Sequence, residues 1–245
     1  MFNIDIPIFD GNIYFGKKQG LIFYFNNKNN LLKILNDTNI EKAVVHHIHG
    51  IYYDTEIGNQ KLIDMIADEK RLIPQFIVNF SVDSLIDFSK NVEKYKIKTL
   101  RITPKEHNYP FILWMVKDWL GWMEENSMVL CLPYYQIDSK EIYETLVKFK
   151  KLKVVISEVH YSYFSTFIKI VEILPNIYVD ISKFYMMDGI NFLINKIGYK
   201  KILFGSGLPE YSPAPYIFYL YRCGLKKNVI KAISYDNLYE LIFRN

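Results

Sequence analysis

The chain has 245 residues, half of them apolar, and a formal net charge of +4; that composition excludes an unfolded chain, and the weak positive excess excludes the dense, one-sided basic surface that nucleic acid requires. Its length suits one large domain or two small ones with a substantial core. No apolar run reaches the ~20 residues of a bilayer span, and the N-terminus lacks the basic-then-apolar pattern of a signal peptide, so a cytoplasmic protein without membrane contact is expected.

In chain order, strands are expected at Ile4–Phe9, Lys42–His47, Ile73–Asn79, Thr99–Ile102, Val129–Leu132, Val154–Ser157, Ile177–Asp180 and Ile202–Gly205, short β-branched and aromatic runs at spacings that suit βα units. Helical periodicity fills the gaps: Leu62, Ile63 and Ile66 in one segment, Leu85, Phe88, Val92 and Tyr95 in a second, Ile142, Leu146, Val147 and Phe149 in a third. Ser139 stands where a cap would open the third. Cys131, in the apolar run Met128–Leu132, and Cys223 read as free thiols, which fits a reducing compartment. The 20 tyrosines accompany an abundance of Asn, Ile, Lys and Phe, so a general compositional bias explains them better than a stacking surface does.

Eight strands alternating with helices give either a closed (β/α)8 barrel or an open doubly wound sheet. No Gly-x-Gly-x-x-Gly, Gly-x-x-x-x-Gly-Lys or Gly-x-Ser-x-Gly follows any strand, and no linker divides the chain. The expectation is a single (β/α)8 TIM barrel over residues 1–245, near the lower size limit of that fold, with its chemistry at the C-terminal strand ends.

Two segments carry a resemblance. Asp10-Gly11-Asn12-Ile13-Tyr14-Phe15-Gly16 and Phe204-Gly205-Ser206-Gly207-Leu208-Pro209 resemble signature segments of the amidohydrolase-related barrel enzymes, which there run Asp-x-His-x-His-x-Gly and Phe-Gly-Ser-Asp-x-Pro. Leu100-Arg101-Ile102-Thr103-Pro104 and Asn176-Ile177-Tyr178-Val179-Asp180-Ile181-Ser182 resemble the family's strands 4 and 7, so the likeness runs in order along the chain. It implies the fold and the place of the pocket. Asn12 and Tyr14 stand where two histidines would ligate zinc, Gly207 where an aspartate would, and Glu158 at a usual histidine position. No metal is therefore expected at the family's position, since a catalytic zinc needs about three protein ligands. A relocated divalent-metal site from His47, His49, Glu158 and His160 is the alternative.

A metal-free enzyme would draw on the polar strand ends. His47 and His107 titrate near neutrality and, with Glu158, suit general acid–base work. Arg101 suits a carboxylate or phosphate clamp, and Asn12 an oxyanion; His160 and Ser206 complete the substrate-contacting set. The substrate expected is a small anionic or sugar-derived compound, undergoing lactone opening, isomerisation or hydration/dehydration. Each residue has a structural alternative: an ion pair of Arg101 with Asp10 or Glu158, and a loop role for His107. The second reading of the chain is a catalytically silent barrel that binds a metabolite or protein. Tyr211–Tyr219, and Trp114, Trp119 and Trp122, are read as helix packing; exposed, they would mark a homo-oligomer interface.

Overall fold

The computed structural model describes residues 6–20 and 22–244. Eight parallel strands follow one another in sequence order: β1 (Ile8–Phe15), β2 (Ile40–His47), β3 (Leu72–Ile77), β4 (Thr99–Arg101), β5 (Val129–Pro133), β6 (Lys153–Ser157), β7 (Ile177–Asp180) and β8 (Ile202–Leu203). The ring closes through main chain beyond β8: Gly11 N donates to Phe204 O at 2.8 Å, Gly207 N to Asn12 O at 2.9 Å and Tyr14 N to Leu208 O at 3.0 Å. This is the expected (β/α)8 barrel.

Helices lie between the strands, among them α1 (Lys28–Asp37), α2 (His49–Tyr52), α3 (Thr55–Ile66), α4 (Leu85–Lys94), α5 (Leu113–Glu125), α6 (Ser139–Leu146), α7 (Phe164–Ile173), α8 (Gly189–Ile197), α9 (Pro213–Arg222), α10 (Lys227–Lys231) and α11 (Asn237–Phe243). In α4, Phe88 and Val92 are buried as their spacing predicts. The cap of α6 is Asp138, whose carboxylate accepts from Lys140 N at 2.8 Å; Ser139 instead bonds Tyr134 Oη. Trp119 stacks on Phe80 at 5.0 Å and meets Trp122 edge-on, whereas Trp114 is exposed. Among the described residues no helix is long and apolar enough to cross a membrane.

Strand 1 departs from expectation. It begins at Ile8 rather than Ile4, which lies with Asp5 outside the described residues, and runs on to Phe15. Asn12 and Gly11 have poor strand propensity, yet a register shift between Asp10 and Ile13 accommodates them. Gly11 fits closely there: a Cβ would lie 3.2 Å from Phe204 O and 3.3 Å from Leu238, so a side chain would press on the closing seam.

The alternation of side chains along each strand separates two packing regions. Ile8, Ala43, Val45, Leu100, Leu130, Val154, Ile177 and Ile202 face the helices. Phe9, Val44, Val129, Cys131, Val155 and Leu203 face the barrel interior, which Leu238, Leu241 and Ile242 of α11 plug from the N-terminal end. Above this apolar floor the interior turns polar, with His46, Arg101, Ser157 and Asp180 all at most 3 % exposed.

Candidate functional site

The C-terminal mouth is organised by one buried guanidinium. Arg101 ends β4 on the interior side and forms an ion pair with Glu158 through Nη2. Its Nη1 donates to Asn12 Oδ1 at 3.2 Å and to Cys131 Sγ at 3.6 Å. Glu158 follows β6, and its second oxygen takes Lys183 Nζ at 2.8 Å. Lys183 also lies 3.8 Å from Glu210 and sits between the rings of Tyr135 and Tyr211, at 5.6 and 5.4 Å. Asn12 Nδ2 donates to Ser182 Oγ at 3.0 Å. The charges thus run outward as Arg101, Glu158, Lys183, Glu210, from the barrel axis to the rim.

Both carboxylate-bearing and ammonium-bearing partners are held by their backbones. Glu158 and Lys183 have φ of 57° and 60°, the left-handed region that costs a non-glycine residue about 1–3 kcal/mol. Lys183 N donates to Tyr216 Oη of α9 at 3.0 Å, and Tyr216 Oη in turn donates to Tyr185 Oη at 2.6 Å. Lys18 reaches the rim from the loop after β1, over the Tyr52 ring at 5.6 Å.

Electrostatics follow this geometry. Burial pushes Glu158 upward, but the adjacent Arg101 and Lys183 charges outweigh it and hold the carboxyl at about 2. Burial lowers Lys183, and the charge and hydrogen bond of Glu158 reverse that and raise it. Beneath the pair, burial raises Asp10 to about 7 and Asp180 to about 6, despite hydrogen bonds that favour their ionised forms. Asp10 Oδ1 accepts from the amides of Asn12 and Ser206, each at 3.0 Å, which ties β1 to the segment after β8.

The structure brings together Arg101, Asn12 and Glu158 from the expected set. Arg101 forms the ion pair considered for it, with Glu158. Ser206 is wholly buried in the closing seam, its Oγ accepting from Leu208 N at 3.2 Å. His160 is exposed and caps the turn after β6, its Nδ1 2.8 Å from Ser162 Oγ. His107 Nε2 bonds Gly50 O at 3.1 Å, a loop tether. His47 points to the helix side: Val44 faces inward and Val45 outward, so His46 faces inward and His47 outward. The ring that does face the mouth is His46, 5.9 Å from Tyr14, lowered well below its usual pKa by burial and by Arg101. Lys183 is a site residue that sequence reasoning missed, as are Glu210 and Lys18 at the rim.

His47, His49, Glu158 and His160 do not converge. Among the described residues no three His, Cys, Asp or Glu side chains could hold a metal ion together. The mouth residues do not fit one either: Asn12 offers an amide, Tyr14 a phenol and Glu158 one carboxylate, which is already shared by a guanidinium and an ammonium.

Several buried polar atoms at the strand ends have no protein partner among the described residues: Tyr14 Oη, His46 Nδ1, Arg101 Nε and Thr103 Oγ1. Such atoms usually meet water or a ligand.

No family model matches the chain, and no curated protein matches it. Solved structures do match over nearly the whole length. An amidohydrolase from Burkholderia multivorans with bound HEPES is 10 % identical, with 96 % of this chain and 99 % of that one covered and a TM-score of 0.77. A dihydroxybenzoic acid decarboxylase from Polaromonas sp. JS666, with bound manganese and 2-nitroresorcinol, is 11 % identical over 97 % of each chain, TM-score 0.78. A probable 2-pyrone-4,6-dicarboxylic acid hydrolase from Acinetobacter baumannii with citric acid bound is 15 % identical over 97 % and 99 %, TM-score 0.71. The likeness recognised in the two sequence segments is therefore met in three dimensions: this chain has the fold of the amidohydrolase-type TIM barrels.

Proposed function

We propose that the barrel binds a small carboxylic acid at its C-terminal mouth, using Lys183 and Arg101 in place of a divalent metal. The observation that carries this reading is the sharing of Glu158 by two cations, Arg101 and Lys183. Lys18 adds a third positive group at the rim, over the Tyr52 ring and within the field of Glu210. An incoming carboxylate can take the place of Glu210, the looser partner at 3.8 Å, without uncovering a buried charge. The partnerless Tyr14 Oη and Thr103 Oγ1 offer hydrogen bonds to the rest of the ligand. That solved neighbours carry citric acid and 2-nitroresorcinol supports an acidic ligand of this size.

Binding is favoured over turnover because the expected acid–base pair is dispersed. Glu158 stays ionised at neutral pH and serves as a counter-ion, while His47 and His107 lie off the mouth. Turnover of a lactone or sugar acid would run through His46 and Tyr14, the uncharged groups at the strand ends.

The test is calorimetric titration with acetate, benzoate and citrate, with the matching amides as controls. One or more acids should bind saturably and the amides should not. Lys183→Met should weaken binding at least about tenfold, as for loss of a charge-assisted bond, and dialysis against a chelator should leave affinity unchanged. Equal binding by Lys183→Met, or no binding of any acid, would remove this reading.

A further inference from the structure

His47 turns away from the mouth and forms the inner wall of a separate groove. This groove, about 520 Å³, lies between the start of α1 and the face of α3, with Asn27, Asn29, Lys28 and Lys61 around it, a volume that suits a small ligand. His47 is 9 % exposed. Its Nδ1 accepts from His49 N at 3.1 Å, so the neutral ring carries its proton on Nε2. Among the described residues that Nε2–H has no acceptor. Burial, with Lys61 and His49 nearby, holds the ring neutral, at about 4, so this tautomer persists at neutral pH.

The surroundings are rich in donors. Lys61 and Lys28 make no ion pair among the described residues; Lys61 Nζ lies 3.4 Å from the neutral His49 ring and Lys28 Nζ donates to Ala67 O at 2.5 Å. The first turn of α1, a helix of ten residues, opens on the same groove, and among the described residues the Asn27 side chain takes only the Asn30 amide, at 3.2 Å. The one acidic wall residue, Asp64, is engaged by Gln60 at 2.7 Å. A helix start, a buried ring donor and an ammonium that line one groove are donors suited to an oxyanion such as phosphate.

We propose that this groove is a phosphate site, which takes the phosphate group of a small ligand between His47 Nε2–H, Lys61 and the first turn of α1. It is independent of the carboxylate reading of the mouth. The probe is inorganic phosphate, titrated into the full chain while the His47 ring and the Lys28 and Asn29 amides are followed by NMR. Their signals should shift together and saturate. Lys61→Met, a change at an exposed position, should weaken binding at least about tenfold, and Lys183→Met should leave it unaltered. A shift that stays linear, or that chloride reproduces at equal ionic strength, overturns the proposal. So does persistence in Lys61→Met, and loss in Lys183→Met would assign the anion to the mouth instead.

Discussion

Glu158 and Lys183 meet at 2.8 Å across the ends of β6 and β7, and each does so from a left-handed backbone. Two facing non-glycine residues in the left-handed region, joined by an ion pair, mark a conformation that the chain's own preferences disfavour, and at Lys183 the Tyr216 hydroxyl also holds the backbone amide, at 3.0 Å. Removing the charge while keeping the side chain leaves the conformational cost in place. Lys183→Gly should therefore be more stable than Lys183→Met by about 1 kcal/mol, as read by chemical denaturation. Equal stabilities would show that the backbone at residue 183 carries no cost.

Glu158 neutralises the most deeply buried positive charge. Glu158→Gln should lower stability by about 3–5 kcal/mol, the usual result of stripping one partner from a buried pair. The double variant Arg101→Met, Glu158→Gln should lose much less than the two single losses combined, because the guanidinium that needed a partner is gone. Additive losses would mean that the pair is not energetically coupled.

Asp10 imposes a pH dependence whose sign is fixed. Burial raises its folded value to about 7, against 3.8 for the unpaired group. Between those values the folded chain keeps a proton that the unfolded chain has released, so stability falls as pH rises, and it levels off above 7. His46 and His47, lowered by burial, act oppositely over the acid side of this range. The informative quantity is thus the difference from Asp10→Asn. That variant should lose less stability than the parent between pH 5 and pH 8, measured by melting temperature at each pH.

Gly205 is confined by Asp180. A Cβ at position 205 would lie 2.1 Å from Asp180 Oδ2, and Asp180 is 1 % exposed with its other oxygen accepting from Ser182 N at 2.6 Å. Gly205→Ala should cost about 1–3 kcal/mol through overpacking. Gly205→Ala combined with Asp180→Ala should recover part of that loss if the contact is the cause.

The fold was largely legible in the chain because buried parallel strands are compact apolar runs, and β2 to β8 all overlap their expected segments. Strand 1 was not, because Ile4, Ile6 and Ile8 suggest an early start while Gly11 and Asn12 suggest an early stop. The mouth was legible only in part. Arg101, Asn12 and Glu158 could be named from strand ends, but His46 and His47 differ by one position, and in a strand that reverses the face. His49 was grouped with His47 as a candidate metal ligand, yet β2 ends at His47 and His49 opens α2. Lys183 follows the Asp180–Ser182 alternation into a left-handed turn, a conformation that no local sequence rule assigns to lysine.

The two-residue β8 leaves circular closure to a few main-chain bonds, donated by Gly11, Tyr14 and Gly207. Those amide protons therefore report on a motion distinct from global unfolding, a parting of the cylinder at its seam. In deuterated solvent they would exchange as a group, ahead of the amides shared by β5 and β6. The same opening would loosen Asp10 from Ser206 and with it the floor on which Asn12 and Arg101 stand. The integrity of the C-terminal mouth would then be set by the short last strand as much as by the charged groups that line it.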